Sequence, residues 1–315
     1  MIAILLSAAV MAGTLASCAP EDVVNGSKSV AREQSSEGNS EAASGSAAEP
    51  TVNPNPTPTP EVTPSPEELA EQREKELREK LDNGKWKWKK KRVFYLDADG
   101  KKVTGLATIK KKTYFFDKKG VQRTGWWKIK DNYYFFRLKN EAKGHMVKDK
   151  TVNLIKLRKS GKARVKAKWK QKKVWTMWKC SKILAKITNA AMTVDQKLRA
   201  AYDYERKAFW ILGSHTFYNL KHFDVYYAYD MMTKGHAACY GWGALFAYLA
   251  NAAGAKKCAA VSSGGHGWAE VNGLVSDPNW EFANKSNSYF QFPYSLSGVN
   301  GRPPYKNCRS HVKYV

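Results

Sequence analysis

Aromatic and polar positions alternate in a repeating pattern over the middle of the chain. Phe94-Tyr95-Leu96 leads into an Asp-x-x-Gly turn and a Thr-Gly pair, and Tyr114-Phe115-Phe116 begins the same order 20 residues later. A looser third copy begins at Tyr133-Tyr134-Phe135-Phe136. A period of this length indicates stacked units that bury their faces against one another. The pattern therefore predicts a solenoid of β-hairpins that extends to about Gly161.

These units resemble the cell-wall-binding (choline- or glucan-binding) repeats of Gram-positive surface proteins, most closely in the segment from Gly125 to Phe136. The resemblance implies aromatic side chains that hold choline by cation–π attraction or stack on sugars. The candidate ligand aromatics are Trp126, Trp127, Tyr133 and Tyr134. The alternative is that these aromatics only form the core of the solenoid. The sequence leaves open whether the ligand is choline, glucan, teichoic acid or none.

Residues 162–179 continue the basic character of the repeats. Val165, Ala167 and Trp169 alternate with Arg and Lys, which is the period of a strand with one apolar and one cationic face. Interleaved Lys and Trp also suit nucleic acid, but an exported chain is expected to meet anionic wall polymer or anionic lipid instead. A solvated face without a partner is the other interpretation.

Helical periodicity replaces the strand pattern in the C-terminal part. Thr193-Val194-Asp195-Gln196 is a capping box that predicts a helix start. From Cys239, small and apolar residues run almost all round a second helix that ends at Gly254, so we expect this helix to be buried. Cys239 falls in its first turn, where free backbone N–H groups and the helix dipole favour a thiolate.

A short hairpin is predicted downstream of this helix. Asn272-Gly273 between two short apolar runs is a strong turn signal. It places His266 near the start of one strand and Asp277 near the end of its antiparallel neighbour. A thiol at a helix N-terminus with His and Asp on adjacent strands is a Cys-His-Asp constellation.

Cys239-Tyr240-Gly241-Trp242-Gly243, His266-Gly267-Trp268 and Asp277-Pro278-Asn279-Trp280 resemble the motif blocks of the bacterial transglutaminase-like superfamily. The resemblance covers about residues 185–285 and implies a papain-like α+β core. By this likeness Cys239 is the nucleophile, His266 the general base and later acid, and Asp277 the residue that orients the imidazole. Gly267 and Asn279 depart from the family, which usually has Ala and Thr there.

The expected reaction begins with attack of the Cys239 thiolate on a protein or peptide amide. Cross-linking, deamidation and proteolysis share the resulting thioester, so the triad does not choose among them. We expect neither a metal nor a nucleotide cofactor. Cys239 N–H is the candidate oxyanion donor; Tyr226 and Tyr227 are less certain donors, and His236 is expected in a loop. The alternative is a catalytically inactive wall-binding surface protein or adhesin that uses the domain as a scaffold.

The N-terminal part is predicted to be a targeting signal followed by a tether. Leu15-Ala16-Ser17-Cys18 resembles the lipobox of bacterial lipoproteins, which implies lipidation of Cys18 and an anchor on the cell membrane. The following residues are rich in Ser, Glu and Pro and cannot build a packed core. Ser65-Pro66-Glu67-Glu68 predicts the start of a charged spacer helix.

The distribution of charged residues also distinguishes the segments of the chain. The chain has 53 Lys and Arg against 28 Asp and Glu, a net charge of +25. Residues 84–180 alone hold 32 basic and 6 acidic side chains, whereas residues 1–83 hold 6 basic and 14 acidic ones. The basic excess therefore belongs to the repeats and indicates an anionic wall or membrane as partner, with no nucleic acid.

The sequence thus predicts a multidomain surface protein: a β-hairpin repeat solenoid followed by an α+β papain-like, transglutaminase-like domain. The predicted segments are a signal peptide (1–18), a tether (19–66), a spacer helix (67–84), the repeats (85–180) and the catalytic domain (181–315). Besides Cys18 and Cys239, three cysteines remain, so at most one disulfide can form among Cys180, Cys258 and Cys308. The sequence does not choose among their pairings.

Overall fold

The computed structural model describes residues 65–212, 221–263, 265–286 and 288–315. The lipobox, with Cys18, and residues 19–64 of the predicted tether lie outside these ranges. None of the helices within them is long and apolar enough to cross a membrane.

Helix α1 (Pro66–Asp82) begins at the predicted position, because Ser65 and Glu68 form the expected capping box. It buries no residue completely. Its last turn is nevertheless attached to the repeats: Leu81 packs against the first hydrophobic cluster of the hairpins, and the Tyr95 hydroxyl donates to the Leu81 carbonyl over 2.7 Å. The spacer helix is thus docked at one end.

Four antiparallel hairpins follow within the described residues. Their strands are β1 (Lys85–Lys89), β2 (Arg92–Leu96), β3 (Gly105–Ile109), β4 (Lys112–Phe116), β5 (Gln122–Arg123, paired with β4), β6 (Gly125–Ile129), β7 (Asn132–Phe136), β8 (Thr151–Val152) and β9 (Ile155–Lys156). A 3₁₀ turn, Glu141–Lys143, lies between the last two hairpins.

The predicted Asp-x-x-Gly turns connect the hairpins. Asp117 accepts hydrogen bonds from the backbone N–H groups of Lys119 and Val121, and Gly120 adopts a left-handed φ of 75°. Glycine reaches this conformation without steric cost, which explains its place at the end of the turn. The solenoid predicted from the 20-residue period is therefore present in the protein.

The C-terminal part joins helices to one sheet. The helices are α2 (Lys168–Ile187), α3 (Val194–Ala208), α4 (Phe223–Lys234), α5 (Cys239–Ala253), α6 (Pro278–Asn284) and α7 (Tyr305–Cys308), and a 3₁₀ turn spans Tyr294–Leu296. The strands are β10 (Trp210–Ile211), β11 (His236–Ala237), β12 (Cys258–Ser262), β13 (Gly267–Val271), β14 (Leu274–Ser276) and β15 (His311–Tyr314). The last four form an antiparallel sheet in the order β14-β13-β12-β15.

The strand predicted within residues 162–179 is wrong: before Lys168 there is only an isolated bridge, between Leu157 and Ala163, and α2 begins at Lys168. The buried side chains of α2 include Val174, Met177, Cys180 and Leu184, which follow helical spacing. The alternation before Trp169 covers too few residues to decide between the two periods.

The predicted domain boundary between residues 180 and 181 falls inside α2. Trp126 of β6 and Ile155 and Leu157 near the last hairpin belong to the same hydrophobic core as α2, α3 and α5. The Trp126 backbone N–H also donates to Ser181 Oγ over 3.1 Å. The repeats and the helical domain therefore share a core instead of being joined by a linker.

Helix α5 and strand β13 approach each other unusually closely. A Cβ at Gly243 would lie 2.5 Å from Trp268 backbone atoms, and a Cβ at Gly267 would lie 2.7 Å from the Cα of Tyr240. Both obstacles include backbone atoms, which cannot give way cheaply. Two glycines thus set the distance between the helix that carries Cys239 and the strand that follows His266.

Replacing Gly243 with Ala should lower the free energy of unfolding by about 1–3 kcal/mol, the usual cost of overpacking a core. Chemical denaturation of the full chain measures it. Gly265→Ala is the matched control, because its Cβ would enter open space; it should change the free energy by less than about 0.5 kcal/mol. Equal stability of Gly243→Ala and wild type would contradict the close approach.

Candidate functional site

Cys239 is the first residue of α5 and is partly exposed, whereas most of the helix behind it is buried. The residue before it, Ala238, has no side chain that could cap the helix. Helix starts leave backbone N–H groups without intrahelical partners, and these attract negative charge. The position therefore suits a thiolate and an oxyanion formed next to it.

The predicted hairpin brings His266 and Asp277 together. Asn272 and Gly273 have φ values of 54° and 87°, as a two-residue type I′ turn requires. In the register that follows, Ala269 pairs with Ser276. His266 and Asp277 come at the same end of the hairpin, and Nε2 of the histidine lies 2.6 Å from Oδ2 of the aspartate.

Asp277 is fully buried, and its carboxylate is held from three sides. Besides His266, the hydroxyl of Tyr305 donates to Oδ2 over 2.7 Å, and the backbone N–H of Trp280 donates to Oδ1 over 2.9 Å. Burial and the charge of Asp277 hold the pKa of Tyr305 far above its ordinary value, so its phenol remains a donor. Sequence reasoning missed Tyr305, because no local pattern links it to a residue 28 positions earlier.

The electrostatics of the site favour a charged imidazole. Burial opposes the charged form, but the Asp277 carboxylate and hydrogen bonds with Asp277 and Cys239 outweigh it and raise the pKa of His266 from 6.5 to about 10. Because Nε2 is engaged by Asp277, Nδ1 is the ring nitrogen left for the thiol. The structure thus joins His266 to Asp277 by a hydrogen bond, and the Cys239 thiol is near enough to the imidazole to contribute to its raised pKa.

A cleft of about 460 Å³ opens beside His266. Its walls include Trp268, Tyr305 and the C-terminal segment through Ser310. The indole N–H of Trp268 donates to the Tyr294 hydroxyl over 2.9 Å, which fixes this wall. Its lining combines the rings of Trp268 and Tyr305 with polar side chains such as Asn307 and Ser310, a surface that can hold an extended peptide or a sugar next to the imidazole.

The other cysteines are free thiols in the described part of the chain. Cys180 and Cys258 are buried, and burial raises the pKa of both; for Cys258 it reaches about 12. Cys308 is exposed and lies in the wall of the cleft. The open question of a disulfide among these residues is therefore answered: none of them is paired.

The other candidate residues, His236, Tyr226 and Tyr227, make strand or ring contacts. His236 lies in the short strand β11, not in a loop, and pairs with Trp210 of β10. Tyr227 is buried and stacks on Tyr240, with ring centroids 5.3 Å apart. Tyr226 lies on the same helix, α4, with the ammonium of Lys172 5.9 Å from its ring.

The four candidate ligand aromatics differ in exposure. Trp126 is only 2% exposed, and its indole donates to Asn153, so it packs the shared core and is not available to a ligand. Tyr134 is also buried, in a cluster with Phe136 and Met146. Trp127 and Tyr133 remain partly exposed. Trp127 lies against Phe115 of the preceding hairpin, with ring centroids 5.4 Å apart.

Within the described ranges, no three His, Cys, Asp or Glu side chains are grouped so that they could hold a metal ion. The candidate chemistry of the chain is thus carried by the thiol–imidazole–carboxylate group and by the aromatic faces of the hairpins.

Known proteins resemble this chain in its repeats. The family model of the choline-binding repeat matches residues 103–150. Similar solved structures include choline binding protein F of Streptococcus pneumoniae, which is 21% identical over 25% of this chain and 26% of that chain, with a TM-score of 0.23. The pneumococcal cell wall endolysin of phage Cp-1, complexed with choline, is 23% identical over 26% of this chain and 25% of that chain, with a TM-score of 0.23.

The choline binding domain of a further Streptococcus pneumoniae protein is 15% identical over 25% of this chain and 92% of that domain, again with a TM-score of 0.23. This chain thus spans about a quarter of the length of the first two proteins. No curated protein matches it. The match to the family model ends before α2 begins. Residues 103–150, which include β3 to β7, are choline-binding repeats of the cell-wall-binding type.

Proposed function

We propose that the chain is a cell-surface protein that attaches to choline-bearing cell wall through its repeats. The observation that carries this proposal is the match of residues 103–150 to the choline-binding repeat. The lipid on Cys18, which would add a membrane anchor, belongs to the same proposal. Both attachments would place the C-terminal domain outside the cell.

The interval between the second and third hairpins is the best place for the quaternary ammonium. Trp127 and Phe115 present partly exposed rings there, and the face of an aromatic ring attracts a cation within about 6 Å. In the first hairpin, by contrast, Lys102 lies over the Phe94 ring at 4.7 Å. The protein's own ammonium thus occupies the aromatic face that a choline would use.

The choline proposal predicts retention of the full chain on a choline-bearing resin and release by free choline. Trp127→Ala should reduce retention strongly, because it removes the largest exposed aromatic face of that interval. Trp210→Ala is the control, since this tryptophan is 71% exposed in the helical domain. Equal retention of both variants would argue against a site at Trp127.

We further propose that the C-terminal domain is a thiol enzyme of the transglutaminase-like superfamily with a papain-like core. The observation that carries this second candidate is the 2.6 Å hydrogen bond between His266 and Asp277, with Cys239 near enough to contribute to the raised pKa of the imidazole. The partly exposed thiol at a helix start and the cleft beside His266 support the same interpretation.

In this mechanism the Cys239 thiolate attacks the carbonyl carbon of an amide, and the free N–H groups at the start of α5 stabilise the oxyanion. The His266 imidazolium donates its proton to the leaving amine, which gives a thioester. Asp277, held by Tyr305 and the Trp280 N–H, keeps the ring oriented and stabilises its charge. Neutral His266 then accepts a proton from the attacking amine or water, which gives a cross-link, deamidation or cleavage. Peptide stems of the wall are one class of substrate.

Cys239→Ala should abolish amine incorporation into a Gln-peptide, together with its deamidation and cleavage, as mass analysis of the products would measure. Iodoacetamide at neutral pH should modify Cys239 faster than Cys308, the exposed free thiol that serves as an internal comparison. Activity that survives Cys239→Ala would refute the thiol mechanism. An inert wild-type chain with equally slow labelling of both cysteines would favour the inactive wall-binding scaffold.

The pH dependence follows from the raised pKa of His266. The imidazolium is required, so activity should persist through neutral pH and fall as the pH rises through about 10. Asp277→Asn removes the carboxylate that raises this pKa and should move the alkaline limb to lower pH. It should also lower kcat/KM by about 10²–10⁴-fold. An unchanged alkaline limb in Asp277→Asn would contradict the assignment.

A further inference from the structure

A second cavity, of about 140 Å³, lies between the hairpins and the helical domain. It is more enclosed than the cleft beside His266, and its wall is shared by both modules. We call it the shared cavity; its charged lining residues are Arg92, Arg123 and Lys139 from the repeats and Lys197 from α3.

Tertiary hydrogen bonds hold the wall of the shared cavity in place. The backbone N–H of Ala190 donates to the Lys91 carbonyl over 3.1 Å, at the turn of the first hairpin. The Asn140 amide donates to the Ala190 carbonyl over 3.1 Å, from the region after the third hairpin. The segment between α2 and α3 is thus hydrogen-bonded to the first hairpin and to the residues after the third. These bonds fix the wall of the shared cavity.

The lining of the shared cavity carries four cations and no carboxylate. Arg123 has an ion pair, with Asp117. Lys197 is partly buried, and no ion pair joins it to an acid within the described ranges. Burial lowers the pKa of Lys197, because nothing nearby compensates for the loss of water around its charge.

The lining gathers like charges around one cavity, where they repel one another. Lys197 is partly buried there and Arg92 and Lys139 are exposed, whereas Lys186 of α2 is exposed outside the cavity. An anion with several acceptor oxygens would pair with cations from both modules at once. Guanidinium and ammonium groups together are the usual partners of phosphate.

We propose that the shared cavity binds a phosphate group through Arg92, Lys139 and Lys197. Inorganic phosphate and a phosphodiester of an anionic wall polymer offer the same chemistry, and the cavity can accept either at the junction of the two modules. Trp127 of the proposed choline site also lines the shared cavity, so the two sites adjoin, whereas the cleft beside His266 has no lining residue in common with it.

Calorimetric titration of the full chain at constant ionic strength, first with inorganic phosphate and then with a short poly(glycerol phosphate), tests the proposal. Both should bind saturably, and tighter binding of the polymer would identify the diester as the better ligand. Lys197→Gln should weaken phosphate binding by about tenfold, and Lys197→Arg should keep most of it. Arg92→Gln, on the other wall, should weaken it independently. Lys186→Gln, outside the cavity, is the control. Circular dichroism and thermal melting show whether each variant is folded.

The proposal fails if folded Lys197→Gln and Arg92→Gln bind phosphate as wild type does. It also fails if Lys186→Gln loses as much affinity as they do, because binding would then report only the basic surface. Carbodiimide cross-linking of Lys197 to a carboxylate of the same chain, found by peptide mapping, would overturn the phosphate assignment.

Discussion

The close approach of α5 to β13 is the constraint on which the candidate site depends. Two positions without side chains, Gly243 and Gly267, let the helix start lie against the strand that follows His266. A methyl group at either position would push the thiol and the imidazole apart. At Gly267 a Cβ would collide with Tyr240, because in this chain the helix and the strand lie too close together for a side chain.

Short sequence signals predicted the turns and helix starts, because these depend on the conformation of a few neighbouring residues. The Asn272-Gly273 turn, the Asp-x-x-Gly turns and the two capping boxes each depend on backbone conformation within four residues, and all are present. The pairing of His266 with Asp277 could be predicted because one tight turn joins their strands. These features account for most of the candidate site and for the hairpin solenoid.

Long-range packing could not be predicted in the same way. The sequence pattern of its repeat marks Trp126 as a ligand aromatic, yet the folded chain buries it in the core that the hairpins share with α2. The alternation of Val165, Ala167 and Trp169 imitates a strand, although Val165 lies in irregular backbone and α2 begins at Lys168. Tyr305 reaches Asp277 only through the folding of the C-terminal segment, so nothing near it in the sequence indicates its role.

The shared core between the hairpins and the helical domain has a mechanical consequence. Because Trp126 and α2 are packed into one body, a pull on wall-bound repeats would load the same side chains that support α5. A module on a flexible linker would rotate freely and sample substrate in all directions. Here the shared core fixes the position of Cys239 relative to the repeats once the chain has folded.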